Sequence, residues 1–312
     1  MVYMLLNLFV LIISLFLLIK GATLSTRFAV KVAESFKLSK YVVGFIIVAV
    51  ISILPETLIS INSAIAGVPS LGLGTLFGSN VADLTLVFAI IIFVTKKNIK
   101  VESKILKNNI IYPFILLVPI ILGLDGYYSR IEGVSLLIIG LIFYYFAFRN
   151  NDEPRIENVP KDDRKKYIFL LLASMAVLLV GSHFAVTSTA HLAGNIGISP
   201  IIIGIFILGL GSTIPELLFS IKSVKKDDDS LAIGDLLGTV LADATIVVGI
   251  LALISPFNFP IKIVYVTGVF MVISSFLLFY FMKSGKTLTK NESFILFIFW
   301  IVFILTELAL AS

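Results

Sequence analysis

The stretch Gly209–Ser220 reads GLGSTIPELLFS and interrupts a long apolar run with a proline, a carboxylate and several hydroxyls. Proline removes a backbone donor and displaces the carbonyl four residues earlier, so Pro215 predicts a break in a helix. Glu216 follows directly, and a carboxylate within an apolar segment is costly enough to indicate a functional site. The same arrangement occurs 160 residues earlier, at Ile51–Ser60 (ISILPETLIS).

The composition around these stretches predicts an all-α protein that crosses the cell membrane many times. Of 312 residues, 59% are hydrophobic and 14% charged, with a mean hydropathy of +1.09, whereas soluble domains carry about 25% charged residues. The absence of cysteine excludes disulfides, iron–sulfur clusters and thiolate zinc sites, and two histidines disfavour an imidazole site. We therefore expect no cofactor and no enzymatic activity.

Apolar runs of roughly 20 residues predict transmembrane helices. They fall at about 2–33, 41–66, 71–95, 107–124, 131–148, 167–193, 199–222, 230–254, 262–282 and 291–311. A charged linker at 149–166 separates a first set of five helices, residues 1–148, from a second set, residues 167–312. The predicted architecture is therefore ten transmembrane helices in two five-helix repeats, with helices 2 and 7 broken at their prolines.

The basic residues predict the orientation of this arrangement. Alternate loops hold 21 of the 24 Lys and Arg residues, and the positive-inside rule places such loops in the cytoplasm. Both termini are then extracellular. Because each repeat has an odd number of helices, the second enters the membrane from the opposite side. The net charge of +5 is explained by this topology, so no nucleic-acid partner is expected.

The two repeats match at the offset of 160 without a gap over more than forty residues. The matched residues include Gly44/Gly204, Ser52/Ser212, Pro55/Pro215, Glu56/Glu216, Ser60/Ser220, Gly74/Gly234, Gly78/Gly238 and Asp83/Asp243. Inverted repeats with broken helices are typical of secondary transporters, whose substrate site lies near the bilayer midplane. The expected partners are the lipid bilayer and inorganic cations, with no obligate protein partner.

Polar residues spaced four apart form oxygen-bearing stripes on four of the predicted helices. The stripes are Ser52–Glu56–Ser60, Ser212–Glu216–Ser220, Thr75–Ser79–Asp83 and Asp235–Thr239–Asp243. Carboxylates, hydroxyls and freed carbonyls are ligands that hard cations such as Ca²⁺ and Na⁺ accept. Asp235 lies two turns from Asp243, where we expect either an acid in an entry funnel or a solvated residue. Glu307 is expected at the outer membrane interface.

These motifs resemble those of a known family. SILPE (52–56) and GSTIPE (211–216) are similar to the GTSLPE signature of the Na⁺/Ca²⁺ exchangers, in the cation/Ca²⁺ exchanger superfamily. GSNVAD (78–83) and GTVLAD (238–243) resemble the second motif of that family. The resemblance, to the prokaryotic type, implies antiport of Ca²⁺ for Na⁺ by alternating access.

The resemblance also implies a ligand set contributed by helices 2, 3, 7 and 8, with helices 1 and 6 sliding past them. The implied carboxylate ligands are Glu56, Asp83, Glu216 and Asp243. The implied neutral ligands are the hydroxyls of Ser52, Ser79, Ser212, Thr213 and Thr239, and backbone carbonyls near Ala49 and Gly209.

The chain departs from the family pattern at Ile51 and Ile53, which replace Gly and Ser, and at Asp83, which replaces Asn. The first repeat thereby loses a neutral ligand and gains an ionisable one, which leaves the coupling ion and stoichiometry open. Four ionised carboxylates exceed the charge of one Ca²⁺ or three Na⁺, and like charges in a low dielectric oppose joint ionisation. We expect Asp83 or Asp243 to hold a proton during part of the cycle, so H⁺ is a possible transported ion.

Three other functions compete with this one. A Ca²⁺/H⁺ or K⁺-dependent exchanger would use a similar site, although the Pro-Glu pairs favour the sodium branch. An intramembrane aspartyl protease would use Asp83 and Asp243 as a catalytic dyad, but the glycines typical of such enzymes are missing beside them. An ion channel would have less need for a cluster of four charges.

Overall fold

The computed structural model of the chain describes residues 2–34, 49–101, 111–149 and 164–311. Within these ranges the regular secondary structure is helical apart from four strands of two residues each. Seven of the described helices are long and apolar enough to cross a membrane. They span Leu5–Val32, Pro69–Thr95, Arg164–Asn195, Pro200–Lys225, Asp229–Ile254, Tyr265–Gly285 and Lys290–Leu310. The prediction of a helical, multi-pass membrane protein is confirmed.

The first half of the chain contains eight α-helical segments in the described residues. They are α1 (Val2–Glu34), α2 (Ala49–Ser52), α3 (Leu54–Ile65), α4 (Pro69–Ala82), α5 (Phe88–Thr95), α6 (Tyr112–Ile115), α7 (Leu117–Leu122) and α8 (Arg130–Arg149). A π-helical turn, Asp83–Val87, joins α4 to α5, and a 3-10 turn, Gly123–Asp125, follows α7. The strands are β1 (Ile99–Lys100) and β2 (Tyr127–Tyr128).

The second half has a matching series of segments. They are α9 (Arg164–Ile196), α10 (Pro200–Ile203), α11 (Gly209–Ser212), α12 (Ile214–Lys225), α13 (Asp229–Ala242), α14 (Val248–Ile254), α15 (Ile261–Gly285) and α16 (Lys290–Ala311). π-Helical turns Gly204–Leu208 and Asp243–Val247 precede α11 and α14. The strands are β3 (Phe257–Asn258) and β4 (Thr287–Leu288). Helices α3, α4 and α8 each begin 160 residues before α12, α13 and α16, so the repeat in the sequence is also a repeat of elements.

Reciprocal hydrogen bonds explain why α8 and α16 begin where they do. The amide of Glu132 donates to the Ser129 hydroxyl, while the Ser129 amide donates to the Glu132 carboxylate. Thr289 and Glu292 form the same pair of bonds at the start of α16. This capping box satisfies amide donors that the first turn of a helix leaves free.

Two small antiparallel sheets lie at opposite ends of the α13–α14 pair. At one end β1 pairs with β4, and the Lys100 amide donates to Asp229 at the start of α13. Lys97 Nζ lies 2.7 Å from Asp227 Oδ1 at this end, and its hydrogen bond and charge lower the pKa of Asp227. At the other end β2 pairs with β3, which follows α14. The loops after α5 and α15 and before α13 therefore share one end of the molecule.

Close backbone contact joins α4 to the segment that precedes α11. A Cβ atom at Gly74 would overlap the carbonyl oxygen of Ile201, and one at Gly204 would overlap the carbonyl oxygen of Leu71. Small residues are common where membrane helices approach closely. This contact carries the second half of the chain against α4, the helix that precedes Asp83.

Helices α1 and α9 pack along each other at the periphery. Ser25 Oγ donates to Ser174 Oγ at 2.8 Å across their interface, while large apolar side chains such as Phe9 and Phe169 are exposed. Exposed apolar surface of this extent is expected where a helix faces lipid. Both helices therefore have one face on the protein and another available to the bilayer.

The described residues cover the predicted helices and linker only in part. The predicted spans 41–66 and 107–124 begin on residues outside the described ranges, so the count of ten helices stays a prediction. The predicted linker 149–166 lies mostly outside the described residues, between Arg149 at the end of α8 and Arg164 at the start of α9, and it stays a prediction. A helix in this position extends past its apolar segment because its charged ends can stay in water.

Candidate ion-binding site

Five carboxylates are buried together between the two halves of the chain. This carboxylate cluster consists of Glu56, Asp83, Glu216, Asp235 and Asp243, and each is at most 1% exposed. Glu56 is close enough to interact electrostatically with each of the other four. The cluster therefore contains all four predicted carboxylate ligands and one more.

Local sequence explains how the two glutamates are held. Each lies in the first turn of a helix, with a proline directly before it. The preceding helical segment ends at Ser52 in the first half and at Ser212 in the second. Because proline has no amide hydrogen, the helix cannot continue its hydrogen bonding through this point. The predicted interruptions before the Pro-Glu pairs are present.

The hydrogen bonds at the cluster link the two halves of the chain. Ser52 Oγ, in the first half, donates to Asp235 Oδ1 at 2.8 Å. Ser212, in the second half, is a hydrogen-bond neighbour of Glu56. Both contacts join a hydroxyl of one repeat to a carboxylate of the other, so the cluster is built from both repeats.

The cluster is rich in oxygen atoms that no group in the described part of the chain satisfies. Seven carboxylate oxygens are buried without a hydrogen-bond partner there, including both of Glu216 and both of Asp243. The Thr239 hydroxyl is also buried without a hydrogen-bond partner in the described residues. Buried polar atoms are nearly always paired in proteins. Such a concentration of acceptors indicates a place for cations or protons.

Asp235 corrects the sequence-based expectation of an entry-funnel or solvated residue. It is fully buried, and Ser52 holds it against the stripe that carries Glu56. The signal was available in the sequence, because Asp235 begins the same four-residue spacing as Thr239 and Asp243. What the spacing alone did not indicate is that α13 is buried over nearly its whole length.

Two π-helical turns begin at the aspartates and were not predicted. Asp83 and Asp243 are each the first residue of such a turn. The hydroxyls of Thr85 and Thr245 donate to the carbonyls of Val81 and Leu241, four residues earlier. π-Bulges are rare and frequently mark functional sites. In both repeats the helix geometry therefore changes at the residue that carries the carboxylate.

The predicted neutral ligands differ in how available they are. Ser52, Ser79, Ser212, Thr213 and Thr239 are all buried. The Thr213 hydroxyl donates to the Leu210 carbonyl at 3.0 Å. The Gly209 carbonyl already accepts hydrogen bonds from the Ser212 hydroxyl at 3.1 Å and the Thr213 amide at 3.3 Å. Ala49 begins α2, one turn before Ile53.

The carboxylates do not converge on one point. Among the described residues, no three Asp, Glu or His side chains are grouped as ligands of a single metal ion. The donors present are nonetheless all oxygen, the element that Na⁺ and Ca²⁺ prefer. This arrangement suits several neighbouring sites, each combining a carboxylate with hydroxyl or carbonyl oxygens, better than one many-carboxylate site.

Glu307 also departs from expectation, because it is buried and not at an interface. Thr267 Oγ1 donates to its carboxylate, which lies between α15 and α16. Glu307 is not among the electrostatic neighbours of the carboxylate cluster. It provides a buried acid outside the candidate site.

A family model described as sodium/calcium exchanger protein matches residues 6–149 and 166–309. The chain belongs to the sodium/calcium exchanger family. Relatives include an uncharacterized membrane protein of Methanocaldococcus jannaschii, 28% identical over 88% of this chain and 89% of that one. The sodium/calcium exchanger MaX1 of Methanosarcina acetivorans is 22% identical over 96% and 97% of the two chains.

Solved structures support the same fold. The sodium-calcium exchanger NCX_Mj superposes with a TM-score of 0.73 at 24% identity, covering 96% of this chain and 98% of that one. The family assignment confirms the prediction of a membrane antiporter for Ca²⁺ and Na⁺. Family members are transporters, so the prediction that the chain is not an enzyme is also confirmed. The protease hypothesis is not favoured.

Proposed function

We propose that the carboxylate cluster is the site at which Ca²⁺ and Na⁺ alternate during exchange. The observation that carries this proposal is the set of buried carboxylate oxygens without partners in the described chain. Glu56, Glu216, Asp83 and Asp243 supply the charge that a cation must balance. A cation in turn removes the cost of keeping several like charges in a low dielectric.

The neutral ligands divide between the two repeats. Ser52, Ser79, Ser212, Thr213 and Thr239 supply hydroxyl oxygens, and carbonyls near Ala49 and Gly209 complete the set. In the conformation described, the Gly209 carbonyl bonds within its own helix. The Gly209 carbonyl can therefore bind a cation only if its hydrogen bonds with Ser212 and Thr213 change, and the adjacent helix break permits such a change.

The proposed architecture is ten transmembrane helices in two inverted repeats, residues 1–148 and 167–312. The match of element bounds at an offset of 160 supports the repeat. α5 ends its transmembrane helix at one end of the molecule, and α13 begins the matching helix of the second repeat at that same end, beside the strand that follows α5. The two matching helices therefore run in opposite directions, which supports the inversion. The lysine-rich loops at this end would face the cytoplasm of the cell, with both termini outside.

We assign the moving part to α1 and α9. They pack on each other, and a Cβ added at Gly21 or Gly181 would press on the partner helix. Small residues at such a contact let two helices approach closely and slide as a unit. When cations neutralise the carboxylate cluster, the apolar faces of α1 and α9 can slide across it. When the cluster keeps a net charge, this movement is costly, because the charge would be buried against an apolar surface. Movement only with bound ions couples the flux of one ion to that of the other.

Protons complete the charge balance in this proposal. Five carboxylates outnumber the charges that one Ca²⁺ or three Na⁺ bring, and like charges at close range cannot all ionise in a low dielectric. Asp83 or Asp243 is then the residue that holds a proton for part of the cycle.

The decisive experiment measures ⁴⁵Ca²⁺ uptake by the purified protein in liposomes. Uptake is compared under an outward Na⁺ gradient, a H⁺ gradient and a Na⁺ gradient with or without K⁺. We expect Na⁺ alone to drive uptake. Uptake that follows H⁺ and ignores Na⁺ would reject the sodium assignment. Glu56→Gln and Glu216→Gln should each abolish exchange in folded protein, and activity in either variant would remove that residue from the site.

A further inference from the structure

A basic cavity lies between α1, α12 and the start of α13, and no carboxylate of the cluster lines it. Its volume is about 420 Å³. Four cationic side chains line it, Arg27 and Lys31 from α1 and Lys222 and Lys226 at the end of α12, against one acidic residue, Asp228. The cavity lies at the end of the molecule that carries the lysine-rich loops, where α1 and α12 leave the apolar region.

The interior of the cavity offers a hydrogen-bond donor in addition to positive charge. Thr26 lines it and is 2% exposed, and its hydroxyl has no partner in the described chain. The Lys31 ammonium lies 4.5 Å from the centroid of the Tyr167 ring, and this cation–π contact holds the side chain in place. Within the described ranges, Arg27, Lys222 and Lys226 form no ion pair. A group with several acceptor oxygens and negative charge would satisfy these donors together.

Helix-end electrostatics do not account for this convergence of charge. Lys222 and Lys225 both lie in the last turn of α12, where any cation interacts favourably with the helix dipole. Lys225, however, does not line the cavity. The charges that do line it come from two helices and border one space, where a single anion can contact several of them.

The matching position in the first repeat shows that the cationic lining is not a general property of the fold. Lys222 and Lys226 correspond, at the offset of 160, to Asn62 and Ala66. There Asn62 donates to the Ser182 hydroxyl of α9 at 2.8 Å. The first repeat therefore joins its peripheral helix through a neutral bond, whereas the second places cations around a cavity.

We propose that this cavity binds the phosphate group of an anionic phospholipid. The donors are those that recognise phosphate, and apolar residues Val30, Phe219 and Leu231 line the same cavity, as an amphiphilic ligand requires. On the same helices Leu24 and Leu218 are exposed toward the surroundings, so lipid can reach the site from the side. Free inorganic phosphate shares the charge but not the apolar part.

A phosphate bound here would bridge α1 to α12. Pro215 also lines the cavity, directly before Glu216 of the carboxylate cluster. The lipid would therefore neutralise positive charge near the ion site and tie a peripheral helix to the broken one. This inference concerns binding and does not depend on which ion is exchanged.

The test is native mass spectrometry of the full chain in detergent with equal phosphatidylglycerol and phosphatidylcholine. We expect one retained phosphatidylglycerol in preference to phosphatidylcholine. The double variant Lys222→Gln/Lys226→Gln should reduce its affinity about 25-fold, since each basic residue near an anionic surface contributes about 1 kcal/mol, or about fivefold. The matched control is Lys225→Gln, an exposed lysine of the same helix outside the cavity, which should bind as the wild type does.

Two outcomes would overturn the proposal. Equal retention by the double variant and by Lys225→Gln would show that the cavity is not the lipid site. Displacement of phosphatidylglycerol by about 10 mM inorganic phosphate, with loss of preference over phosphatidylcholine, would assign the cavity to a free anion. Because the readout is bound lipid, failure of ion exchange in liposomes would leave this result unaffected, and the two proposals fail separately.

Discussion

Asp235→Asn is the variant that best tests the carboxylate cluster, because it removes a charge and keeps the shape. The asparagine oxygen can still accept the bond from Ser52. Glu56 lies one helical turn beyond Ser52, so a cation held by Glu56 is about 8 Å from Asp235. At an effective dielectric of about 20, an ionised Asp235 attracts such a cation by about 2 kcal/mol per unit charge.

The two transported ions should respond differently to this substitution. The loss of about 2 kcal/mol weakens Na⁺ binding about 30-fold, and the doubled loss for Ca²⁺ approaches 1,000-fold, so the ratio of affinities changes about 30-fold. The assay is ⁴⁵Ca²⁺ uptake in proteoliposomes, with half-maximal concentrations measured for Ca²⁺ and for competing Na⁺. Asp229→Asn, on the same helix but bonded to the Lys100 amide, is the control and should change neither.

An unchanged ratio would refute this reasoning. If Asp235→Asn left both half-maximal concentrations within about twofold of the wild type, Asp235 would be neutral in every state that binds ions. The Ser52 bond would then be a structural contact, and the cluster would have four functional carboxylates. A loss of folded protein on size-exclusion chromatography would be detected before transport is measured.

Further predictions concern packing, an acid outside the cluster and a helix start. Gly74→Ala should lower the unfolding temperature, since overpacking against a neighbouring carbonyl costs about 1–3 kcal/mol. The control Gly194→Ala adds its methyl group in open space and should not lower it. Equal unfolding temperatures for the two variants would contradict the contact at Gly74. Glu307→Gln should leave ⁴⁵Ca²⁺ exchange within about twofold of the wild type, and abolished exchange would place it in the pathway. Thr289→Ala should cost about 1 kcal/mol of stability by removing a cap, whereas no change in thermal unfolding would mean that Glu292 alone holds the helix start.

Much of the candidate site could be predicted because its residues are expensive in a membrane. Pro55, Glu56, Pro215 and Glu216 stand out from apolar surroundings, and their repetition at a fixed offset identifies them as a pair. The interruptions before both prolines followed from the missing amide hydrogen. Asp235 lies near the start of its predicted helix, where an acid in an entry funnel or in solvent is also expected, so its position along the sequence does not assign it to the cluster.

The sequence by itself determined that the chain is a helical membrane protein, which residues repeat, and four of the five carboxylates of the candidate site. It could do so because apolar length, proline geometry and buried charge act locally along the chain. Only the tertiary structure decided that Asp235 joins Ser52 across the repeats, that π-helical turns begin at Asp83 and Asp243, and that cations from α1 and α12 line one cavity. These features depend on how distant helices approach, and spacing within one helix carries no information about its neighbour.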